Sequence, residues 1–427
     1  MTSDSTERSA SPYAKRLLGN FFSLATLQGA NYLFPIVSAP YLIRVIGIQK
    51  YGLWATASAL LTYFQMITDY GYNLSATREV SLNRHDRQQV SRIFSETMGV
   101  KLLLFCLSLA LMLALTGGIP ALRREFWFYL AAFAGLLGSV IFPVWLYQGL
   151  EEMRYITYLQ LAARSAVLLL LFVLVKRQSD YMTYAVLNSA ASIAAGGASL
   201  WLAMGHFGIR YSSPTLAEMG ASLKRGWYIF ASTFSVNMYV SSNVLILRLV
   251  ADEAAVGYYY VAERCVVALR SMASTIFQAI YPHVCAAASE SSLRLKAFFR
   301  RITLPMTGLF FLASLALFLS SRQVVHFFTG GQSPEAVNIL RIMSFVPLVV
   351  AANIPAYQTL LSYDLKRTYT SLLVAGSALN IMLNLILASR WQGTGTAVSV
   401  LATEIFITVG LYLAIELRHR HLSLFRE

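Results

Sequence analysis

The sequence predicts an all-α polytopic membrane protein of about twelve transmembrane helices, and three observations predict it. Its 427 residues are 57% hydrophobic and only 13% charged, with a mean hydropathy of +0.57, outside the range of ordinary soluble domains. From Leu17 to Leu417 apolar stretches follow one another, each near the ~20 residues that carry a helix across a ~30 Å hydrocarbon core. The segments between them are too short to hold a soluble domain, so the chain's work must be done inside the membrane.

Taken in order, a polar tail (1–16) precedes the first span, Leu17 to Ile43. That run is too long for a signal-peptide core and lacks a small-residue cleavage site, so it is expected to stay as a span. Spans at Tyr51 to Tyr70, Gly99 to Gly118, Phe126 to Leu150, Ile156 to Val175 and Met182 to Gly205 complete a first six-helix lobe, 17–205. A basic stretch with Pro214, 206–226, reads as a cytoplasmic inter-lobe linker. The second lobe, 227–417, holds Trp227 to Val250, Gly257 to Ile280, Ile302 to Ser321, Asn338 to Leu361, Tyr369 to Ala388 and Ala397 to Leu417, and a short tail (418–427) follows. Pro35, Pro40, Pro143, Pro347 and Pro355 fall inside spans, where each removes a backbone bond and bends its helix.

The net charge of +14 is spread over many short loops, which suits a membrane surface better than nucleic acid. With the N-terminus inside, the cytoplasmic loops hold about twice as many Lys and Arg as the opposite set, which places both termini in the cytoplasm. The basic residues are 27 arginines and 7 lysines, a bias that also fits phosphate recognition, since one guanidinium grips two oxygens. Cys106, Cys265 and Cys285 show neither metal nor redox spacing.

A short internal duplication links the halves. The first span ends Tyr41-Leu42-Ile43-Arg44-Val45 with Gly52 opening the second, and the seventh ends Leu245-Ile246-Leu247-Arg248-Leu249 with Gly257 opening the eighth. Six spans separate the copies, so they run in the same direction. That implies two lobes related by a pseudo-two-fold axis along the membrane normal, with a V-shaped central cavity.

Ionisable groups inside spans are costly, and depth separates those that reach the interface from those that do not. Arg270 lies thirteen residues past Gly257, about 20 Å along the helix and beyond the middle of the core. Glu263, Arg270 and Ser274 share one face of that span, and Arg264 sits beside it. A buried Glu263–Arg270 or Glu263–Arg264 pair and a cleft-lining anion site both satisfy this pattern. Polar stripes recur elsewhere: Asn20, Asn31 and Ser38 in the first span, Ser232, Ser235, Tyr239 and Ser242 in the seventh, Gln160 with Arg164 in the fifth, and Ser377, Asn380 and Asn384 in the eleventh. Interhelical hydrogen bonding explains any one of them. Stripes in both halves favour a hydrated cavity. Glu404, inside the twelfth span, is placed either to exchange a proton or bind a cation, or to pair structurally. No nucleotide-binding loop, zinc-type cluster or nucleophile motif occurs, so neither an enzyme nor a resident cofactor is expected.

Three strings carry a resemblance. Asp69-Tyr70-Gly71-Tyr72-Asn73-Leu74-Ser75-Ala76-Thr77-Arg78-Glu79-Val80-Ser81 resembles the loop after the second helix in O-antigen and related polysaccharide flippases. Phe142-Pro143-Val144-Trp145-Leu146-Tyr147-Gln148-Gly149-Leu150-Glu151 is similar to their fourth-helix signature, and Gly257-Tyr258-Tyr259 with Gln278-Ala279-Ile280-Tyr281-Pro282 to their eighth-helix pattern. These proteins belong to the multidrug/oligosaccharidyl-lipid/polysaccharide (MOP) exporter superfamily. The resemblance implies a bacterial inner-membrane flippase that carries an undecaprenyl-pyrophosphate-linked oligosaccharide from the cytoplasmic to the periplasmic leaflet by alternating access. It also implies coupling to an H+ or Na+ gradient. On that reading Arg270 and Arg264 would bind the pyrophosphate, with Arg164, Arg44, Arg248 and Asn31 as further head-group ligands. Glu404 and Glu263 would serve ion coupling or charge pairing, and Asp69 and Arg78 would gate the cytoplasmic mouth. A multidrug exporter of the same superfamily would instead want a cavity dominated by carboxylates. A membrane-embedded polymerase or glycosyltransferase would want a long outer loop or paired acidic residues, neither of which is present.

Overall fold

The computed structural model describes residues 12–331, 333–418 and 422; side chains at 12–18, 21, 24, 228, 231–241, 274, 279 and 292 stand outside the description. The expected polar faces of Ser232, Ser235, Tyr239 and Ser274 therefore lie outside the described side chains, as do the two polar tails apart from the helical ends that reach into them. The described chain is helical throughout: α1 (Pro12–Asp69), α2 (Tyr72–Leu82), α3 (Arg87–Gly118), α4 (Pro120–Arg123), α5 (Phe126–Ile141), α6 (Val144–Gly149), α7 (Met153–Leu174), α8 (Tyr181–Gly205), α9 (Leu216–Val250), α10 (Glu253–Glu290), α11 (Ser292–Leu319), α12 (Ser321–Thr329), α13 (Pro334–Met343), α14 (Val346–Ser362) and α15 (Lys366–Arg418). Among the described residues eight helical stretches are long and apolar enough to cross a membrane. Helices α9 and α10 fall outside that set; α10 carries Glu263, Arg264 and Arg270 within its apolar run.

Two of the helices are interrupted. At Gly47 the backbone leaves helical geometry with φ 83° and ψ 160°, a conformation open to glycine and strained for other residues, so α1 consists of two segments. In α15 the break falls at Gln392, φ 47° and ψ −128°, without the relief that glycine would give.

The chain divides into two compact units, residues 1–38 with 61–233 and residues 39–60 with 234–427. In the first, α5 and α8 cross on small residues. Ser189 Oγ donates to the carbonyl of Ala131 at 2.6 Å and Ser192 Oγ to that of Gly135 at 2.8 Å. Lipid offers no hydrophobic drive for helices to associate, so close backbone approach and such bonds supply the attraction. Phe142 and Pro143 interrupt the helix between α5 and α6, and α6 then lies against α2.

In the second unit residues 39–60 pack with α10 through Gly52 and Gly257, the two glycines that mark the sequence duplication. A methyl placed on Gly52 would come 2.8 Å from the Gly257 nitrogen, and one on Gly257 would run into the carbonyl of Ile48. Helices α10, α11, α13, α14 and α15 complete this unit, with a core that includes Ala273, Phe277, Phe310, Ala351 and Ile354.

Candidate functional site

Charge inside the second unit collects between α10 and α15. Arg270 Nη2 stands 2.9 Å from Glu404 Oε1, with 26% of the guanidinium side chain and 6% of the carboxylate side chain exposed. One face of α10 thus brings Arg270 to a carboxylate from the second segment of α15, and Glu263 shares that face, within reach of Tyr259 and in the field of Arg270. Arg264 points elsewhere: it donates to the Tyr260 hydroxyl and its guanidinium lies 4.5 Å over that ring. Two carboxylates and two guanidiniums therefore occupy this stretch.

The polar stripe of α15 is satisfied within the same unit. Asn384 Nδ2 donates to Asn243 Oδ1 of α9 at 3.0 Å, Thr396 Oγ1 donates to Asn384 Oδ1 at 2.9 Å, and Asn380 Nδ2 donates to Thr403 Oγ1 at 3.2 Å. These bonds lock the two segments of α15 to each other and to α9. Arg44 and Arg248, equivalent positions of the duplication, are both engaged. Arg44 donates to the carbonyl of Phe327 at 2.7 Å, in the last turn of α12, where a cation suits the helix dipole. Arg248 bonds Glu253 across the α9–α10 turn at 2.9 Å.

In the first unit Asp69 ends α1 and accepts from Lys101 Nζ at 3.0 Å and from Gln65 Nε2 at 3.0 Å. Lys101 is 2% exposed. Arg78 stands exposed on α2. Around them runs an ion-pair network absent from the sequence reading: Arg225 at the start of α9 reaches Glu96 at 2.7 Å and Glu79 at 3.4 Å, and Arg92 reaches Glu96 at 3.0 Å and Glu218 at 3.3 Å. Tyr72 and Ser222 share a buried hydrogen bond of 3.0 Å beside it. The Glu218 carboxyl is held below the usual carboxylate range, first by the Thr215 amide and hydroxyl and then by Arg92. The signal in the sequence is the alternating charge along 78–96 and 218–225, segments too polar to count as spans.

The first two resemblance strings meet in this unit. Gly149 packs directly on Val80, Thr77 Oγ1 donates to Gln148 Oε1 at 3.3 Å, and Arg84 pairs with Glu151 at 2.8 Å. Trp145 is fully buried between them, beside Phe94. Further into the membrane, α1 and α7 run together: Asn20 Nδ2 donates to the carbonyl of Glu151 at 3.0 Å, and Thr157 Oγ1 to that of Ser23 at 2.9 Å. On this seam Asn31 donates to Gln28 Oε1 at 2.8 Å, while its own carbonyl oxygen is buried without a partner. Arg164 is half-buried on α7.

A family model described as polysaccharide biosynthesis protein matches residues 17–286. A relative from Escherichia coli (strain K12), named for O-antigen transport, is 28% identical over 393 residues, covering 91% of this chain and 94% of its own length. One from Shigella dysenteriae with the same name is 25% identical over 403 residues, covering 93% and 99%. Among solved structures, the inward-facing form of a multidrug resistance MATE family transporter of the MOP superfamily matches with a TM-score of 0.68 at 12% identity, over 91% of this chain and 98% of that one. The lipid II flippase MurJ in its inward closed conformation also gives 0.68 at 12%, over 96% and 89%. These two likenesses show a shared fold. The chain is a multi-pass membrane protein that belongs to the polysaccharide biosynthesis protein family.

Proposed function

We propose that this protein moves an undecaprenyl-pyrophosphate-linked oligosaccharide from the cytoplasmic to the periplasmic leaflet of a bacterial inner membrane. The observation that carries this reading is the near full-length likeness to relatives named for O-antigen transport. The chemistry agrees. Pyrophosphate and sugar hydroxyls are costly to pass through hydrocarbon, so a path needs arginine for the charge and amides or hydroxyls for the sugars, while the polyprenyl tail stays in lipid. Counting the two segments of α1 and of α15 separately, and adding α9 and α10, brings the eight long apolar stretches to twelve, a number that supports a reading as two six-helix lobes. Alternating access between the lobes would take its energy from an ion gradient, since one charge crossing 100 mV yields about 2.3 kcal/mol. Glu404 suits the coupling: a proton or cation arriving there would release Arg270 from its pair.

A second reading, a multidrug exporter exchanging cations, draws more support from the solved folds. The MATE likeness and the presence of Glu263 and Glu404 beside Arg264 and Arg270 favour it over a cleft lined by arginine alone. Proteoliposomes separate the two. Loaded with a fluorescent undecaprenyl-pyrophosphate oligosaccharide, they should expose the sugar on the opposite leaflet only when the protein is present. Ethidium extrusion without sugar exposure would establish the exporter and overturn the flippase.

A further inference from the structure

Arg164 is the twelfth of the 22 residues of α7, about 16 Å along the helix from Met153, too deep for its guanidinium to reach an interface. Five N–H donors at that depth require acceptors, and hydrocarbon has none. Among the described residues Arg164 makes no ion pair, hydrogen bond or ring contact; burial alone acts on it. It is thus unlike Arg270, Arg248, Arg225 and Lys101, each of which has a carboxylate.

Its neighbours follow from the helix register. Met153 N donates to Asn20 Oδ1 at 3.3 Å and Thr157 Oγ1 to the Ser23 carbonyl at 2.9 Å, and Leu27 shares one apolar cluster with Ile156 and Leu159, so α1 and α7 ascend in parallel. Eleven residues beyond Asn20 is Asn31, and eleven beyond Met153 is Arg164. Three turns of helix return each residue to the facing side, so the two stand level. Gln28 lies one turn below Asn31 and Gln160 one turn below Arg164, on the same faces. The Asn31 carbonyl oxygen is the buried acceptor left open there.

We propose that Arg164, Gln160, Asn31 and Gln28 form an anion site on the α1–α7 seam that takes the pyrophosphate of an isoprenoid-linked sugar. The guanidinium grips phosphate oxygens two at a time, and the three amides donate to the remaining oxygens or to the first sugar. The proposal rests on the flippase reading and moves the head-group site from the α10–α15 cluster, where a carboxylate already holds Arg270.

The test uses the full chain in nanodiscs with geranylgeranyl pyrophosphate as probe, geranylgeraniol as neutral control and phosphatidylglycerol as competitor, binding being read by native mass spectrometry. Wild type should prefer the pyrophosphate over the alcohol and keep it against equimolar phosphatidylglycerol. Arg164→Gln should weaken binding at least tenfold, and Arg164→Lys should restore part of it. Asn31→Asp supplies a carboxylate to the guanidinium, keeps the seam folded and should weaken binding as much. Arg154→Gln, removing an exposed surface charge, should bind like wild type. Unchanged binding by both Arg164→Gln and Asn31→Asp, with wild type still preferring pyrophosphate, overturns this site and leaves the flippase reading standing. Equal binding of pyrophosphate and alcohol by wild type overturns both, and displacement by phosphatidylglycerol shows an ordinary lipid headgroup site instead.

Discussion

Each unit handles its buried charge differently. In the second, Arg270 on α10 and Glu404 on α15 neutralise one another, and the asparagines and threonines of α15 bond among themselves and to α9. In the first, Asp69 and Lys101 pair near the end of α1, but Arg164 in the middle of α7 is left to whatever acceptor comes to it. A paired charge in low dielectric fixes helix positions and resists change. A charge without a partner is costly until water or an anionic ligand reaches it, which is the arrangement expected of a group that binds and releases.

The sharpest way to break the contrast is to remove the carboxylate that holds Arg270 in the second unit. Glu404→Gln takes away the carboxylate 2.9 Å from the Arg270 guanidinium, which is about three-quarters buried. The expected loss is about 3–5 kcal/mol of stability, measured as unfolding free energy in mixed micelles. Adding Arg270→Gln should recover most of it, because the cost lies in a buried guanidinium stripped of its 2.9 Å carboxylate and not in the absence of the pair. An unaltered Glu404→Gln protein would mean that water already solvates Arg270, and the contrast between the units would vanish.

A smaller effect is expected from Lys101→Met. The methionine fills the buried volume, but Asp69 loses the 3.0 Å bond. Asp69 is 22% exposed and keeps Gln65, so water can compensate in part, and the loss should be about 1.5–3 kcal/mol by the same measurement. A loss as large as that of Glu404→Gln would show that Asp69 is drier than its exposure suggests.

The all-helical, membrane-spanning fold was legible because hydrocarbon imposes length and apolarity on every span, and those properties are local in sequence. Arg270, Glu404 and the stripe of α15 were legible as intramembrane polar groups for the same reason. Their partners were not, since pairing depends on which helix faces which: Glu263 and Arg270 share a face of α10, yet the ion pair goes to Glu404, more than a hundred residues away. Lys101 falls inside the span that begins at Gly99, but its partner Asp69 sits at the end of another helix, so the reason a lysine is stable within an apolar run is invisible along the chain. The α2–α3–α9 network was hidden by amphipathic helices too polar to register as spans. Arg44 and Arg248 are read from the sequence as further head-group ligands, and the Phe327 carbonyl and Glu253 reveal what they bond.

The smallest effect belongs to Glu218, where α9 begins, because it is held by local bonds and a partner in contact with water. The Thr215 amide donates to its carboxylate at 2.9 Å, closing the first turn of α9, and Arg92 reaches it from α3 at 3.3 Å with 60% of the arginine side chain exposed. Both favour the ionised form, so the folded pKa lies below the unfolded carboxylate value, with Thr215 as the larger cause. The stabilisation is therefore complete above about pH 4.3, the ordinary glutamate value, and is lost as pH falls through the lower folded value. Compared with wild type, Glu218→Gln should melt slightly lower at pH 6, and the gap in Tm should close as the buffer is taken below pH 4. Raising ionic strength should shrink only the Arg92 share, because screening acts on the exposed ion pair and leaves the bond to the Thr215 amide intact. A gap that widens on acidification would reverse the sign and show that Glu218 is held in its protonated form.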